Sequence, residues 1–503
     1  MYITYDKKNG KLYGKLCTSH RNGHHTSKDV IYLGLVLDQK RGIYKNKKRG
    51  IYTYDLETNS YGSAPADFVP DIKPKKKSEL ILDFGDVYFV DEYLKCSGLI
   101  NTVDAIGYGN PDTLKAMLCY YILCSKANCH AQTWWEGSYA SICYPKANLT
   151  SQRISDFLTA IGDEQTQRDF FSAYFALLGV KGVNMNNILI DSTGMPNSIH
   201  FPLTAVSNHN GKINNEVRLI YVVQQETGMP IYFRYIAGNI IDSSTLVRCI
   251  AELKEQGVNT EFAIMDAGYV TEENVLELYK NNVAFVTRLP ENRTIYTELL
   301  NKAKGELESA ENMVKYGDRY LYVKMEECDL YGKPAYAYIG LDILRKGDEA
   351  RRAAVRASRN GTSLEEVHRE LKNQGYFIII STRKIKSSEI LPLYYTRQQI
   401  EQIFDIGKNY ADMMPIRVQS EEAFRGHLLL TFIATVCIKM IQDKWKAKKK
   451  KTDLNPISMF MNLRNQKCKV YDTKIITTEP TRKMNECYGT FKIECPASLP
   501  RAQ

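Results

Sequence analysis

The sequence has little of what marks a membrane or secreted protein. No apolar run approaches the roughly 20 residues that a membrane-spanning helix needs, and the longest, residues 428–440, is better explained as a buried core helix. The first residues, MYITYDKKNGKLYGK, contain no apolar signal core. The 12 cysteines are scattered along the chain, which argues against a disulfide framework and predicts a reducing cytoplasm.

Paired metal-ligand spacings are also missing. One group of cysteines and histidines invites a zinc interpretation, but none of them follows a CxxC or HxxxH spacing. Buried cysteines and surface histidines are therefore the favoured interpretation. The residues concerned are Cys119, Cys124, Cys129, His130 and Cys143, with His20, His24 and His25 as further candidates.

Positive charge exceeds negative charge in this chain. The 67 Lys and Arg against 57 Asp and Glu give a formal charge of +10, which favours a polyanionic partner. The excess is clustered in KNKKR (45–49), KPKKK (73–77) and KWKAKKKK (444–451). Each cluster suits a phosphate backbone, and each is equally well explained as a solvated linker or a helix end.

Length and residue pattern divide the chain into parts. A chain of 503 residues exceeds the size of one hydrophobic core, so we expect two to four domains. The predicted parts are a small β-containing unit (1–78), a helical domain whose basic flanks could read DNA (79–178), an α/β domain (179–290 and 385–445), a β-rich insertion in it (291–384), and a basic carboxyl-terminal segment with one short helix and a poorly patterned tail (446–503).

The α/β part has two acids at strand ends. NILID (187–191) and EFAIMD (261–266) each predict a short buried strand that ends in an aspartate. A hairpin (217–238) and a helix lie between them, and a third strand (283–288) follows. This order predicts a mixed α/β sheet with helices on both faces. Ligands of such sheets gather at the carboxyl ends of the strands.

The two strand-end acids, Asp191 and Asp266, are candidate metal ligands. Carboxylate oxygens are the hard ligands that Mg²⁺ prefers. Two carboxylates so close together repel each other and raise the pKa of one of them, which a cation relieves. The alternative is that each aspartate only caps a turn or a helix.

A polar stripe is predicted further along the chain. In YYTRQQIEQIFDIGK, the residues Tyr394, Arg397, Glu401 and Lys408 fall within an arc of about 60° on one helix, predicted over 389–413. A tyrosine, two cations and an acid on one face are unlike a packing surface. The cations could hold DNA phosphates while the carboxylate completes a metal site. Ion pairing along the helix surface is the plainer explanation.

These three blocks resemble those of a known family. The spacing Tyr-x2-Arg-x3-Glu-x6-Lys is the signature of a large group of bacterial insertion-sequence transposases with a DDE catalytic domain, and it selects Glu401 over the rival Asp405. The other two blocks of the group look like DST at 191–193 and DAGY at 266–269. The gap of 135 residues between Asp266 and Glu401 is similar to the mostly β insertion of the group. The resemblance covers about residues 180–440.

The resemblance implies a fold and a function. The expected fold is α/β, a ribonuclease-H-like mixed sheet interrupted by the β-rich insertion, with the β-containing unit and the helical domain before it. The expected activity is cleavage at the terminal inverted repeats of an insertion sequence and joining of the 3′ ends to target DNA. Partners would be DNA and a second copy of the chain in a synaptic homodimer, without a membrane. The location would be the bacterial cytoplasm, at the nucleoid during the reaction.

The resemblance also assigns roles to residues. Two Mg²⁺ ions, for which Mn²⁺ could substitute, would be held by Asp191, Asp266 and Glu401. DNA phosphates would be contacted by Tyr394, Arg397 and Lys408, with Arg288 after the third strand as a further candidate.

Two other functions stay open at this point. A ribonuclease-H-like nuclease or resolvase would use the same acids without strand transfer, and only joined DNA products would exclude it. A non-catalytic DNA-binding protein descended from a transposase is the other alternative, but it would be expected to have lost at least one of the three acids.

Overall fold

The computed structural model describes most of the chain. The described residues are 1–8, 11–22, 25–65, 68, 80–197, 203–209, 212–240, 245–360, 371, 374–411, 413–448 and 455–501. The predicted basic cluster at 73–77, part of the cluster at 444–451, and His24 lie outside them. The chain divides into two compact units, Met1–Glu79 and Leu80–Gln503.

The first unit is a sheet of six antiparallel strands, each paired with its neighbour in sequence. They are β1 (Tyr2–Lys8), β2 (Lys11–Asn22), β3 (His25–Asp38), β4 (Ile43–Asn46), β5 (Gly50–Asp55) and β6 (Ser60–Ser63). Because side chains alternate between the faces of a strand, one face of the sheet collects a small apolar cluster of Leu16, Leu33, Tyr44, Tyr52 and Tyr54. The β content predicted for this region is confirmed.

The second unit begins with a short strand and seven helices. They are β7 (Leu80–Asp83), α1 (Gly85–Ser97), α2 (Leu99–Asp104), α3 (Pro111–Leu123), α4 (Ala131–Gly137), α5 (Ala140–Cys143), α6 (Ser151–Ile161) and α7 (Glu164–Val180). Side-chain caps explain where two of the helices start. Asn110 accepts a hydrogen bond from the Thr113 amide before α3, and Asp163 accepts two amide hydrogen bonds before α7.

The centre of the second unit is a ten-stranded sheet. Its strands are β8 (Asn187–Pro196), β9 (Ala205–His209), β10 (Lys212–Gln224), β11 (Pro230–Ala237), β12 (Phe262–Met265), β13 (Ala284–Arg288), β14 (Met313–Tyr316), β15 (Arg319–Leu330), β16 (Lys333–Leu341) and β17 (Tyr376–Ser381). The helices between them are α8 (Leu246–Glu255), α9 (Glu272–Lys280), α10 (Thr294–Ala303) and α11 (Ile343–Asn360). The predicted mixed α/β class is confirmed.

The strand order is β11-β10-β8-β12-β13-β17-β16-β15-β14, with β9 on the side of β10. β12 runs parallel to both β8 and β13, and the other neighbours are antiparallel. The strands of the predicted insertion therefore extend the sheet through β17 instead of forming a separate one. The insertion also contains the charged helix α11, described as far as Asn360, and residues 361–370 lie outside the described ranges.

The strand that carries Asp191 is longer than predicted. β8 does not end at this acid but continues to Pro196. Ile190 pairs with Met265 at the end of β12, whereas Asp191 and the residues after it pair only with β10. Asp191 thus lies where β12 stops, and the next residue after β12 is Asp266.

Three helices follow the sheet: α12 (Ser387–Tyr395), α13 (Gln398–Tyr410) and α14 (Glu421–Ala447). The prediction of one helix over 389–413 is wrong, because the chain turns at Thr396 and Arg397. Their amides donate to Leu393 and Tyr394, three residues back, and the Thr396 hydroxyl also donates to the Leu393 carbonyl. A side-chain hydroxyl that bonds the preceding turn competes with the regular helix pattern.

The long helix α14 is the main core element beside the sheet. By length and composition it is the one helix among the described residues that could span a membrane, but 89% of its apolar stretch is buried inside the protein. The prediction of a core helix at 428–440 is therefore confirmed. Two glycines allow α14 to cross α6 closely. A Cβ on Gly426 would lie 2.0 Å from the Leu158 carbonyl oxygen, and one on Gly162 would lie 1.8 Å from that of Glu422.

The carboxyl-terminal segment is more regular than predicted. It forms α15 (Pro456–Arg464), β18 (Lys467–Val470), β19 (Lys474–Thr477), α16 (Arg482–Phe491) and β20 (Ser498–Pro500). The strands build a four-stranded sheet, β20-β19-β18-β7, that is completed by the first strand of the unit. The poorly patterned tail was a wrong prediction, because strands of three or four residues are too short to show an alternating pattern.

His427 of α14 makes the stability of this unit sensitive to acid. Its Nδ1 lies 2.8 Å from the Tyr121 hydroxyl, and its Nε2 lies 3.3 Å from the Met413 carbonyl oxygen. Complete burial lowers the pKa of His427 from its usual 6.5 to about 4. The folded state thus binds this proton more weakly than the unfolded state does. Its contribution to stability is present above pH 6.5 and is lost as the pH falls through 4.

We expect the free energy of unfolding of the wild type to fall by about 3 kcal/mol more than that of His427→Gln between pH 7 and pH 4. Glutamine can donate and accept hydrogen bonds but does not titrate. Urea unfolding at several pH values, followed by circular dichroism, measures this difference. His130→Gln is the control, because His130 is exposed. Equal pH dependence in wild type and His427→Gln would contradict the assignment.

Candidate active site

Asp191 and Asp266 lie side by side at the end of β12. The side chain of Asp191 is 13% exposed and that of Asp266 is 44% exposed. Burial raises the pKa of the Asp191 carboxyl, while Arg397 and the Ser192 amide act in the opposite direction and the charge of Asp266 raises it further. The sheet thus holds one buried and one half-exposed carboxylate next to each other.

Arg397 bridges the two aspartates. Its Nη2 lies 3.1 Å from Asp191 Oδ2, and its Nη1 lies 2.7 Å from Asp266 Oδ1. Nη1 is also 3.3 Å from the hydroxyl of Tyr394, a residue that is 7% exposed. The planar guanidinium suits this arrangement because its donors diverge and can reach two acceptors. Arg397 therefore contacts the acids in this structure, whereas the sequence predicted contacts to DNA phosphates.

Glu401 enters the same region from the first turn of α13. It lines a cavity of about 270 Å³ together with Asp266, Arg288, Arg345, Phe377, Ile379, Tyr394, Tyr395, Arg397 and Gln398. The position of α13 is fixed by Phe404, whose ring stacks on Tyr221 of β10 at 5.5 Å. The rival acid Asp405 is exposed and accepts a hydrogen bond from Asn409 of its own helix. Glu401, and not Asp405, thus shares a cavity with Asp266.

Lys408 reaches the sheet at a second point. Its Nζ lies 2.6 Å from Thr193 Oγ1 and 3.0 Å from the Gly194 carbonyl oxygen, so it holds α13 against the second half of β8. Burial lowers the pKa of Lys408, and the charge of Glu216 acts in the opposite direction. The predicted stripe is therefore divided: Tyr394 and Arg397 approach the aspartates, whereas Lys408 contacts the strand beyond Asp191.

Arg288 and Arg345 bring two further cations to the cavity. Arg288, predicted from its place after the third strand, ends β13 and donates to Glu291 at 2.9 Å. Arg345 was missed by the sequence analysis. It belongs to α11 of the predicted insertion and donates from Nε to Glu349 at 2.5 Å. No local signal separates Arg345 from the other charged residues of that helix, because its place beside the cavity depends on the pairing of β16 with β17.

The zinc interpretation of the cysteines receives no support from the described residues. All 12 cysteines are free thiols. Within the described ranges, no three His, Cys, Asp or Glu side chains are arranged to hold a metal ion. This statement also covers the three acids Asp191, Asp266 and Glu401. The guanidinium of Arg397 contacts the first two.

Comparison with known proteins identifies the class. The family described as "Transposase DDE domain" matches residues 185–437, which is half of the chain. The chain belongs to this family. It is a transposase, a protein of DNA transposition and recombination.

The curated proteins and the solved structures were compared with this chain as well. None of the curated proteins matches the sequence. Among the solved structures, "Cryo-EM structure of piggyBac transposase synaptic complex with hairpin DNA (SNHP)" is similar at 10% sequence identity, with a TM-score of 0.38. The match covers 76% of this chain and 79% of that one. This likeness is too low to carry an argument about function.

The contacts of Lys408 predict a role in stability. We expect Lys408→Met to lower the free energy of unfolding by about 1.5 kcal/mol, because the variant keeps the length of the side chain but leaves the Gly194 carbonyl without its donor. Urea denaturation measures the change. Lys280→Met is the matched control, since Lys280 is 74% exposed and, among the described residues, its ion pair is with Glu277 on the surface. Equal losses in both variants would show that the contacts of Lys408 add nothing to the fold.

Proposed function

We propose that this transposase cuts DNA at the ends of a bacterial insertion sequence and joins the 3′ ends to target DNA, with Asp191, Asp266 and Glu401 as its catalytic acids. The observation that carries the proposal is the placement of Asp191 and Asp266 side by side where β12 ends. The signature Tyr394, Arg397, Glu401 and Lys408 supports the assignment to the insertion-sequence group. A synaptic homodimer and action at the nucleoid in the bacterial cytoplasm belong to the same proposal.

The sheet topology supports a ribonuclease-H-like catalytic domain. Three antiparallel strands, β11, β10 and β8, are followed by β12 and β13, which run parallel to β8. This is the arrangement expected of that fold, with one acid on the central strand and the other after its parallel neighbour. The insertion (291–384) enters after β13, and the chain then returns with Glu401. Residues 79–178 stay the proposed DNA-end-binding domain.

The chemistry of the donor set fits a divalent metal. Asp191 and Asp266 supply carboxylate oxygens at adjacent positions, and Glu401 adds a third carboxylate from the same cavity. Hard oxygen ligands of this kind suit Mg²⁺ or Mn²⁺. Two such ions, when bound, would activate the attacking water or 3′-hydroxyl and stabilise the leaving oxygen. Asp191, Asp266 and Glu401 would be the residues that hold these ions.

The protein holds the carboxylates in position and supplies positive charges that would face the DNA phosphates. Burial of Asp191 keeps the first carboxylate in place, while the more exposed Asp266 faces the cavity where DNA would enter. Arg288 and Tyr394 line the same cavity and would contact a phosphate near the cleaved bond. Since the wall of the cavity also includes Phe377 and Ile379, it limits the access of water to that side.

The Asp266→Asn variant tests the assignment of the acids. It removes one carboxylate charge without changing the shape of the side chain, so we expect strand cleavage with Mg²⁺ to fall below detection, while binding of a transposon end measured without divalent metal is nearly unchanged. Cleavage and joining of labelled DNA carrying the terminal repeats measure the effect. A purified variant that still nicked the ends would contradict the proposal. Wild-type protein that gave cut but never joined products would indicate a nuclease instead.

A pair of neighbouring variants tests the choice of the third acid. Glu401→Gln should lower the cleavage rate by about a hundredfold or more, because an essential charge-stabilising group of a catalytic site is lost. Asp405→Asn should leave the rate within about twofold of the wild type, because Asp405 is exposed, does not line the cavity and bonds only Asn409 among its described partners. The reverse order of the two effects would assign the third acid to Asp405.

A further inference from the structure

The most constrained charged group of the site is Arg397. Its side chain is 20% exposed and contacts both aspartates and the Tyr394 hydroxyl. Its Nε is buried and has no hydrogen-bond partner among the residues that the structure describes. A buried guanidinium is held in place mainly by the charges around it, and here those charges are the two acids on which the proposed metal site depends.

We propose that Arg397 competes with the divalent metal for the carboxylates of Asp191 and Asp266. In the absence of metal, the guanidinium neutralises the acid pair. When metal binds, Arg397 is displaced and becomes a ligand for DNA phosphate. This inference rests on the proposed function, because it assumes that these two acids bind the metal.

The distances support competition and not a shared site. Nη1 and Nη2 lie 2.7 Å and 3.1 Å from one oxygen of each aspartate. An ion that contacted these same two oxygens would need the space that the guanidinium occupies. A guanidinium with a single positive charge and a divalent cation next to it would also repel each other strongly in a partly buried site. One of them must therefore leave.

The backbone at Arg397 is suited to such a displacement. The residue lies in the turn between α12 and α13, where the amides of Thr396 and Arg397 make hydrogen bonds of 3.2 Å to carbonyls only three residues back. The side chain leaves from this turn and not from the middle of a rigid helix. A rotation about its own torsions can therefore release the guanidinium without moving Glu401, which lies on the first turn of α13.

The cavity offers a destination for the released side chain. Arg397 already lines it together with Arg288 and Arg345, each of which has a carboxylate partner of its own, Glu291 and Glu349. After release, Arg397 would be the cation of this group without an acid partner. A phosphate of the DNA end can then take the place of the two aspartates as its partner. Metal binding and DNA binding would thus strengthen each other, since linkage between two sites is reciprocal.

The first experiment measures metal binding by the full-length protein without DNA. Titration with Mn²⁺, followed by calorimetry and by electron paramagnetic resonance, should show that Arg397→Gln binds Mn²⁺ roughly tenfold more tightly than the wild type, within the usual range of coupling between sites. Arg425→Gln is the matched control and should bind Mn²⁺ as the wild type does. Arg425 is 16% exposed and pairs with Glu164, away from the acid pair.

Loss of Arg397 leaves two carboxylates without a counter-ion, so the variant could be unstable without metal. Arg397→Lys keeps the charge but contacts one acid at a time, and its Mn²⁺ affinity should fall between those of the wild type and Arg397→Gln. Unchanged or weaker Mn²⁺ binding in both variants would overturn the competition, because a residue that only positions the acids would weaken metal binding when it is removed.

The second experiment measures the coupling to DNA. Ca²⁺, used so that binding is measured under conditions that minimise cleavage, should increase the affinity of the wild type for a DNA end several-fold, and the increase should be largely lost in Arg397→Gln. An equal increase in both proteins would overturn the release of Arg397 towards DNA. A failure of the proposed metal site gives a different result from a failure of the competition by Arg397. If Asp191→Asn and Asp266→Asn bind Mn²⁺ as the wild type does, the proposed metal site itself is wrong.

Discussion

The parallel pairing of β8 with β12 is the constraint on which the candidate active site depends. Because Ile190 pairs with Met265, the next residue of each chain segment is an aspartate at the same level of the sheet. A shift of the register by one residue would turn one of the two carboxylates to the other face. The buried apolar residues of both strands, which fill the sheet on both sides, oppose such a shift.

The acid pair carries an electrostatic cost that the rest of the site offsets. Asp191 is largely buried and lies beside Asp266, and both conditions raise its pKa. Arg397 supplies the opposite charge from a turn that exists because the predicted single helix is interrupted at Thr396. Arg397 reaches both acids from this turn, while Glu401, in the first turn of α13, lines the same cavity as Arg397.

Support for the site comes from parts of the chain far apart in sequence. The buried helix α14 packs against the helices that precede the sheet, with glycine at the closest crossing of α6. The predicted insertion extends the sheet and brings Arg345 to the cavity from α11. The end of the chain returns to its beginning, since β18 pairs with β7 and Arg464 contacts the buried Asp86 at 2.6 Å. These pairings make 80–503 one compact unit.

The sequence alone determined the elements whose signals are local. A short apolar run that ends in an acid indicated the strands before Asp191 and Asp266, and the spacing of the later block singled out Glu401. Only the tertiary structure decided which groups meet: the bridge from Arg397 to both aspartates, the contact of Lys408 with β8, Arg345 beside the cavity, and the sheet formed by β7 with the carboxyl-terminal strands. The physical reason is that strand register and helix period act over a few residues, whereas ion pairs and sheet neighbours depend on the path of the whole chain.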